Sequence, residues 1–135
     1  MRELSRLSTN LAAASSLTYG LLELQYDLET LLHLTDARVL WIDWARRAVW
    51  STTGLISEQT SDLVLDVAGS GKRELYANTL VQPAGARPAR AVLVLRRPPG
   101  AMFDVAELAM ISTLAFGLSG SLDRLIASSA ARGSR

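Results

Sequence analysis

The stretch from Ala89 to Leu125 constrains the fold most, because it predicts a buried strand, a turn and a long helix in succession. Between Arg90 and Arg97, apolar residues occupy both alternating sets of positions, so both faces of this strand are apolar. Such a strand needs cover on both sides, which places it in the interior of its sheet. The turn Pro98–Gly100 follows, and its two prolines lack the backbone donors that would extend the strand.

The helix after this turn carries a strong start signal. Asp104 is predicted to be its N-cap, and Glu107 completes a capping box three residues later. Phe103 and Leu108 have the spacing of a hydrophobic staple around that cap. Apolar residues then recur in steps of three and four, as in an amphipathic helix; they are Leu108, Ile111, Ala115, Leu118, Leu122 and Leu125.

The composition excludes several classes of chemistry. The chain has 135 residues, enough for one domain with its own core, and a net charge of +1, which gives no electrostatic case for binding nucleic acid or an anionic membrane. It has no cysteine, which excludes disulfides, thiolate nucleophiles and zinc–thiolate sites. Its longest uncharged runs are shorter than a membrane span. We therefore expect a cytoplasmic protein with no metal and no other cofactor.

The first 34 residues are predicted to be helical, with an interruption. One apolar stripe runs from Leu4 to Ala14, and a second, out of phase with it, runs from Leu17 to Leu31. Ser15, Ser16 and Gly20 are weak helix formers at the junction, which predicts a kink or a break. Two interpretations remain open. Either residues 1–16 form a helix that protrudes and mediates dimerisation, or one bent helix lies wholly within the core.

Two strands joined by a hairpin turn are predicted next, Ala37–Ala45 and Ala48–Thr52. With an even number of loop residues, Trp44 pairs with Val49 and Asp43 lies opposite Trp50. Leu40, Ile42, Trp44 and Val49 then share one face of the sheet, and Val39, Trp41 and Trp50 share the other. An odd number of loop residues would exchange these two groups.

The middle of the chain is predicted with less regular signals. Residues 53–60 suit a loop, and Asp62–Ala68 fits either a strand or a helix. Asp62 as a cap and Gly69 as a terminator favour a short helix. Glu74–Gln82 is predicted to be one strand, which a hairpin loop joins to the central strand.

The element order predicts an α+β fold. Short loops between successive strands indicate an antiparallel sheet, with the N- and C-terminal helices packed on one face and the short helix on the other. Residues 127–135 are predicted to be a frayed tail or linker.

Three stretches resemble the GAF domain family, which has PAS and roadblock domains as structural relatives. TDARVLWID (35–43) resembles the family's first strand, and DLVLDVAGSGKRELYA (62–77) resembles its short helix, glycine turn and following strand. AVLVLRRPPGAMFDVAELAMISTLAFGLSGSL (91–122) is similar to its apolar strand and closing helix. The resemblance covers about residues 17–126, with 1–16 as a preceding helix. It implies a non-catalytic regulatory or sensory module of a bacterial signalling or transcription-control protein.

Members of this family bind cyclic nucleotides, bilins, haem or small metabolites, or only mediate dimerisation, but most of their functional residues have no counterpart here. Without a cysteine there is no bilin attachment and no methionine-sulfoxide reductase chemistry, and the Asn-Lys…Asp-Glu signature of cyclic-nucleotide binders is absent. The one histidine, His33, falls near a helix end, where a polar role is favoured over haem ligation. Gly69–Lys72 does not form a phosphate loop, because Asp66 replaces a required glycine and Arg73 a required Ser or Thr. An enzyme is not predicted.

Two sets of residues remain as candidate sites. The candidate ligand-binding residues are Trp41, Trp50, Tyr76 and Asn78, although aromatic residues on a two-sided sheet more often belong to the core. Because the segment between Thr52 and Glu74 is short, we expect the domain's own Trp and Leu side chains to fill its pocket. The candidate dimer interface is Leu4, Leu7, Leu11, Ala14, Thr113, Gly117 and Ser121. The leading hypothesis is a homodimeric regulatory module, and the alternative is a roadblock-like adaptor that docks a GTPase or kinase partner.

Overall fold

The computed structural model describes residues 2–133, which form one six-stranded antiparallel sheet and four helices. The elements in chain order are α1 (Arg2–Ala13), α2 (Leu17–Leu32), β1 (Asp36–Asp43), β2 (Ala48–Ser51), β3 (Gly54–Leu55), α3 (Glu58–Ser70), β4 (Glu74–Tyr76), β5 (Thr79–Pro83), β6 (Ala91–Arg96) and α4 (Val105–Gly133). The strand order across the sheet is β3-β2-β1-β6-β5-β4. The doubly apolar strand β6 thus lies between β1 and β5 in the interior of the sheet, as its sequence predicts.

The two faces of the sheet carry separate cores. On the first face, which we call the helix face, Val39, Leu80 and Leu93 pack beneath α1, α2 and α4. On the opposite face, which we call the α3 face, Leu40, Val81 and Val92 pack with α3. This confirms the predicted α+β fold with the terminal helices on one face and the short helix on the other.

The N-terminal segment forms two separate helices, α1 and α2, and both pack in the core. The helix breaks after Ala13, and Ser16 caps α2 by accepting a hydrogen bond from the backbone N–H of Tyr19 at 3.2 Å. Yet α1 does not protrude. It packs against α4 and α2, and its side chains Leu7 and Leu11 are 1% and 3% exposed. Of the two interpretations, the protruding helix is therefore wrong for α1, because its apolar stripe is buried in the helix-face core.

The first hairpin has the predicted side-chain faces but a shifted register. Trp41 pairs with Trp50 and Ile42 pairs with Val49, so the β1 partner of each β2 residue lies two residues earlier than predicted. The loop still has an even number of residues, which leaves the assignment of faces unchanged. Trp41 packs with the helix-face core, and Trp44 packs with the α3-face core.

Several elements differ from the predicted ones. The strand β1 ends at Asp43 rather than Ala45, and the predicted loop over residues 53–60 contains β3 and the start of α3. Helix α3 begins at Glu58 rather than near Asp62, because Ser57 accepts the N–H of Thr60 as an N-cap, and it ends at Gly71 in the left-handed conformation. The strand predicted over Glu74–Gln82 is a hairpin, β4 and β5, with Ala77 at φ 52° in the turn. Helix α4 continues to Gly133, so the predicted tail is helical up to that residue, and residues 134–135 lie outside the described part of the chain.

Helix α4 is the one helix in the described part of the chain that is long and apolar enough, by length and composition alone, to cross a membrane. Its residues Ile111, Leu118 and Leu122 are fully buried against the sheet and the other helices. The core helix of a globular domain can have the same composition. The contacts of α4 with the sheet and the other helices account for the apolar residues on one side of α4.

A candidate ligand groove on the α3 face

Helix α3 covers only part of its face of the sheet, and a groove of about 400 Å³ lies beside it. The floor of this groove, which we call the α3-face groove, is formed by β1, β6 and the β4–β5 hairpin. Its wall is formed by Ile56, Ser57 and Thr60 at the start of α3. A volume of this size lies within the range of small-molecule sites in proteins.

A row of polar side chains crosses the floor of the groove. Asp36 on β1 pairs with Arg96 on β6, Arg96 pairs with Thr79 on β5, and Thr79 pairs with Tyr76 on β4. Because partners in an antiparallel sheet place their side chains on the same face, these four residues of different strands all line the groove. Arg38 lies two residues beyond Asp36 and therefore lines the groove too.

The charges of the groove leave one cation without a protein partner. The Nε of Arg38 donates to Asp36 at 3.1 Å, and this exposed pair contributes little to stability. Within residues 2–133, the side chain of Arg96 makes no hydrogen bond and no ion pair. Two guanidinium groups against one carboxylate give the floor a net positive charge.

Hydroxyl groups complete the lining. Thr79 is 7% exposed, and its hydroxyl makes no hydrogen bond to another described residue. At the wall, Ser57 donates to the hydroxyl of Thr60 at 3.1 Å. Guanidinium groups and hydroxyls together donate well to carboxylate or phosphate oxygens, so this groove has the chemistry of a site for a small anion.

The four predicted ligand-binding residues do not come together. Tyr76 lines the α3-face groove and is 51% exposed. Trp41 and Trp50 lie on the helix face, where they line a second groove. Asn78 lies in the β4–β5 turn, where its side-chain amide and its carbonyl are both bonded to the backbone of Arg97. Among the described residues, no tryptophan lines the α3-face groove, although Trp44 packs with Leu40 and Leu65 in the α3-face core. The expectation that Trp and Leu side chains fill the pocket stays a prediction.

The floor residues that sequence reasoning missed are Asp36, Arg38, Arg96 and Thr79. The sequence shows Arg96 and Arg97 as a basic pair, which predicts two solvated charges. The structure separates them: Arg96 faces the groove, while Arg97 is 15% exposed and forms an ion pair with Glu107. The alternation along β1 indicates that Asp36, Arg38 and Leu40 share one face of the sheet. Only the register of β6, β5 and β4 places Arg96, Thr79 and Tyr76 beside them.

The predicted dimer interface is mostly used within the domain. Leu7, Leu11 and Ser121 are buried, and Leu4 packs onto Gly117, where an added Cβ would lie 2.5 Å from a Leu4 methyl. Ala14 is also partly buried in the helix-face core. Leu7, Leu11 and Ser121 are therefore unavailable as a surface, which corrects the prediction for these three residues, whereas Gly117 remains exposed.

Helix α4 nevertheless has an apolar outer face. Thr113 is exposed on it, together with Phe116 at 59%, Val105 at 84% and Met110 at 38% exposure. There is no charged residue between Glu107 and Asp123. We call this surface, formed by Val105, Met110, Thr113 and Phe116, the outer α4 face.

The structure also bears on metal binding and on a ligand role for His33. Among residues 2–133, no three His, Asp or Glu side chains are grouped closely enough to hold a metal ion. His33 is the C-cap of α2, with φ 55°, and its backbone N–H bonds to the carbonyl of Glu29. The position of His33 therefore fits the helix-end role that its sequence predicts.

The chain is similar in structure to solved GAF domains. Over 99% of its length it matches 96% of the GAF domain of a phosphoenolpyruvate-protein phosphotransferase from Coxiella burnetii, with a TM-score of 0.71 and 18% identity. A second match is the GAF domain of the potassium sensor histidine kinase KdpD from Escherichia coli. The match covers 96% of each chain, with a TM-score of 0.71 and 15% identity. For the GAF domain of the Acinetobacter phosphotransferase, both coverages are 93%, with a TM-score of 0.68 and 16% identity.

No protein-family model matches the chain, and no curated protein matches it in sequence. The resemblance to GAF domains is therefore carried by the fold. The chain has a GAF-like fold, as its three sequence stretches predict.

Proposed function

We propose that the chain is a non-catalytic regulatory module that binds a small anionic metabolite in the α3-face groove. The observation that carries this proposal is the row Asp36–Arg96–Thr79–Tyr76, in which the Arg96 guanidinium has no partner among the described residues. A phosphate or carboxylate seated on Arg96 would satisfy that cation and the Thr79 hydroxyl together. The solved neighbours include the GAF domains of a phosphotransferase and of a sensor kinase, which supports a place in a cytoplasmic bacterial signalling or transcription-control protein.

Calorimetric titration with a panel of small carboxylates and phosphates tests this proposal. We expect at least one to bind, and Arg96→Gln to weaken it about 10-fold or more, because a hydrogen bond to a charged group contributes about 1.5–3 kcal/mol. Arg73→Gln is the matched control, since Arg73 is exposed and does not line the groove. Equal affinities of the Arg96→Gln and Arg73→Gln variants would place the anion elsewhere.

We also propose that the module forms a homodimer through the outer α4 face. An exposed phenylalanine on a helix face without charges is favourable to bury, and a second copy offers the same surface about a two-fold axis. This interface replaces the predicted one, of which Thr113 and Gly117 remain exposed.

Sedimentation of the wild type and of Phe116→Glu tests the dimer. We expect Phe116→Glu to be monomeric, because each copy would then bring a charge into an apolar contact. Tyr26→Glu on α2 is the control: Tyr26 is 69% exposed but does not belong to this face. A wild-type monomer at high concentration would contradict the dimer and would favour the adaptor hypothesis, in which a different protein covers α4.

A further inference from the structure

A second groove lies on the helix face of the sheet, at the end where β1 and β2 meet the C-terminal half of α4. Its volume is about 510 Å³. All three tryptophans of the chain, Trp41, Trp44 and Trp50, line it. Ile126 and Ser129 of α4 form the opposite wall. We call it the tryptophan groove, and it is separate from the α3-face groove.

The indole rings in this groove are held in defined places. Trp41 and Trp50 are direct cross-strand partners, so their side chains emerge side by side on one face. Both are only partly buried, which leaves aromatic surface open to the groove. The indole N–H of Trp44 donates to the carbonyl of Ala89 at 2.9 Å, which holds this ring at the end of the sheet.

The charged residues of the groove do not balance each other. The carboxylate of Asp43 is already paired with Arg46, at 3.7 Å from its guanidinium and 3.3 Å from its backbone N–H. Arg90 is exposed, and in the described part of the chain its side chain makes no hydrogen bond and no ion pair within 4 Å. Burial raises the pKa of Asp123 on α4, and the charge of Arg90 opposes that rise, so this carboxylate acts on Arg90 at longer range. Asp123 does not line the groove, so the available charge among the lining residues is positive and adjacent to the indoles.

We propose that the tryptophan groove binds a small aromatic carboxylate. Its ring would stack on Trp41 and Trp50, and its carboxylate would pair with the guanidinium of Arg90. The groove is large enough for a ligand of this class. Because β1, β2 and α4 all contribute walls, an occupant joins the sheet to the C-terminal half of α4.

Nuclear magnetic resonance of the indole N–H groups tests this site directly, since the three tryptophan signals all come from residues of the groove. Benzoate is the probe, and benzamide, which has the same ring without the charge, is its matched comparison. We expect benzoate to shift the Trp41 and Trp50 signals to saturation. Benzamide should bind at least about 10-fold more weakly than benzoate. Equal affinities of the two compounds, or no saturable shift up to about 10 mM benzoate, would overturn the proposal.

Two variants distinguish this site from the α3-face groove. Arg90→Gln should weaken benzoate binding about 10-fold or more, whereas Arg96→Gln should leave it unchanged. Arg90 is exposed, so its replacement leaves the fold intact, and the indole spectrum of the free variant verifies this. Loss of binding in Arg96→Gln with retention in Arg90→Gln would mean that the anion binds on the opposite face, which overturns this proposal and supports the first one.

Amide exchange tests the link to α4. Benzoate should slow exchange of the amides in residues 126–130, which lie against the groove, and leave those at the start of α4 unchanged. Unchanged exchange in 126–130 at saturating benzoate would overturn this link.

Discussion

Arg97, the residue after β6, donates to both carboxylate oxygens of Glu107 in the first turn of α4. The same guanidinium donates to the carbonyls of Met102 at 3.0 Å and Leu32 at 3.3 Å, and it lies 4.8 Å from the ring centre of Phe103. Arg97 therefore joins the end of the central strand to the end of α2 and the start of α4. Three separate elements depend on one side chain.

The first prediction concerns this ion pair. Arg97→Met should reduce the free energy of unfolding by about 2–4 kcal/mol, because in a partly buried place it leaves one carboxylate oxygen of Glu107 and two carbonyls without this donor. Chemical denaturation measures this loss. Arg46→Met is the control, since the Arg46–Asp43 pair is exposed and should contribute less than about 0.5 kcal/mol. Similar losses in both variants would show that Arg97 is no more important than a surface cation.

The second prediction concerns the pH dependence of stability. The hydrogen bond from Arg97 lowers the pKa of Glu107 below its ordinary value of 4.5, and the backbone N–H of Asp104 lowers it further. A carboxylate with a lowered pKa contributes stability that is present above its unfolded pKa and is lost as the pH falls through its folded pKa. The free energy of unfolding should therefore fall as the pH is lowered from 4.5 through the folded pKa of Glu107, and less steeply in Glu107→Gln. Parallel curves for the two proteins would contradict this.

The third prediction uses two glycines of α4 as a matched pair. A Cβ at Gly117 would lie 2.5 Å and 2.8 Å from the two methyl groups of Leu4, whereas a Cβ at Gly120 would meet only the end of Arg124, at 3.6 Å. Gly120→Ala should raise the melting temperature, since Ala is favoured over Gly in a helix by about 1 kcal/mol. Gly117→Ala should lower it, because the clash with Leu4 outweighs that gain by about 1–2 kcal/mol.

The double variant Leu4→Ala/Gly117→Ala checks the cause of this difference. Removing the Leu4 methyl groups should relieve the clash, so the double variant should lose less stability than the two single variants combined. Strict additivity would indicate that α1 does not pack at Gly117.

The fourth prediction tests the docking of α1. Leu7→Ala should reduce the free energy of unfolding by about 2–4 kcal/mol, because Leu7 is 1% exposed in the helix-face core. Leu22→Ala is the control, because Leu22 is 45% exposed on α2 and should contribute less than about 1 kcal/mol. A protruding α1 would give losses of the same size in the two variants.

Much of the fold could be predicted because its signals are local. Asp104 and Glu107 form the predicted capping box, with 2.8 Å from the Glu107 N–H to the Asp104 carboxylate and 3.0 Å from the Asp104 N–H to Glu107. Such bonds join residues three positions apart, so the sequence places both partners. The same holds for the faces of β1 and β2, because alternation along a strand is independent of which residues are paired.

The predictions that failed depend on contacts between residues far apart in the sequence, which no local pattern can indicate. The apolar stripe of α1 predicts that it needs a partner, but whether that partner is α4 of the same chain or a second molecule depends on the space left above Gly117. Likewise, Glu74–Gln82 has the composition of one strand, and the turn at Ala77 exists because the backbone and side chain of Asn78 are bonded to Arg97, 19 residues away.

The sequence by itself determined that this chain has a central strand apolar on both faces, a capped helix after it, and a break in its N-terminal helix, since propensity, capping and alternation act over a few residues. Only the tertiary structure decided where the free charges lie. The register of four strands places Arg96 in one row with Asp36, Thr79 and Tyr76. The packing of α4 over the end of the sheet forms the groove in which Arg90 lies beside three indoles. Register and packing are set by the burial of the whole core, and a shift of one residue would turn each of these side chains to the other face.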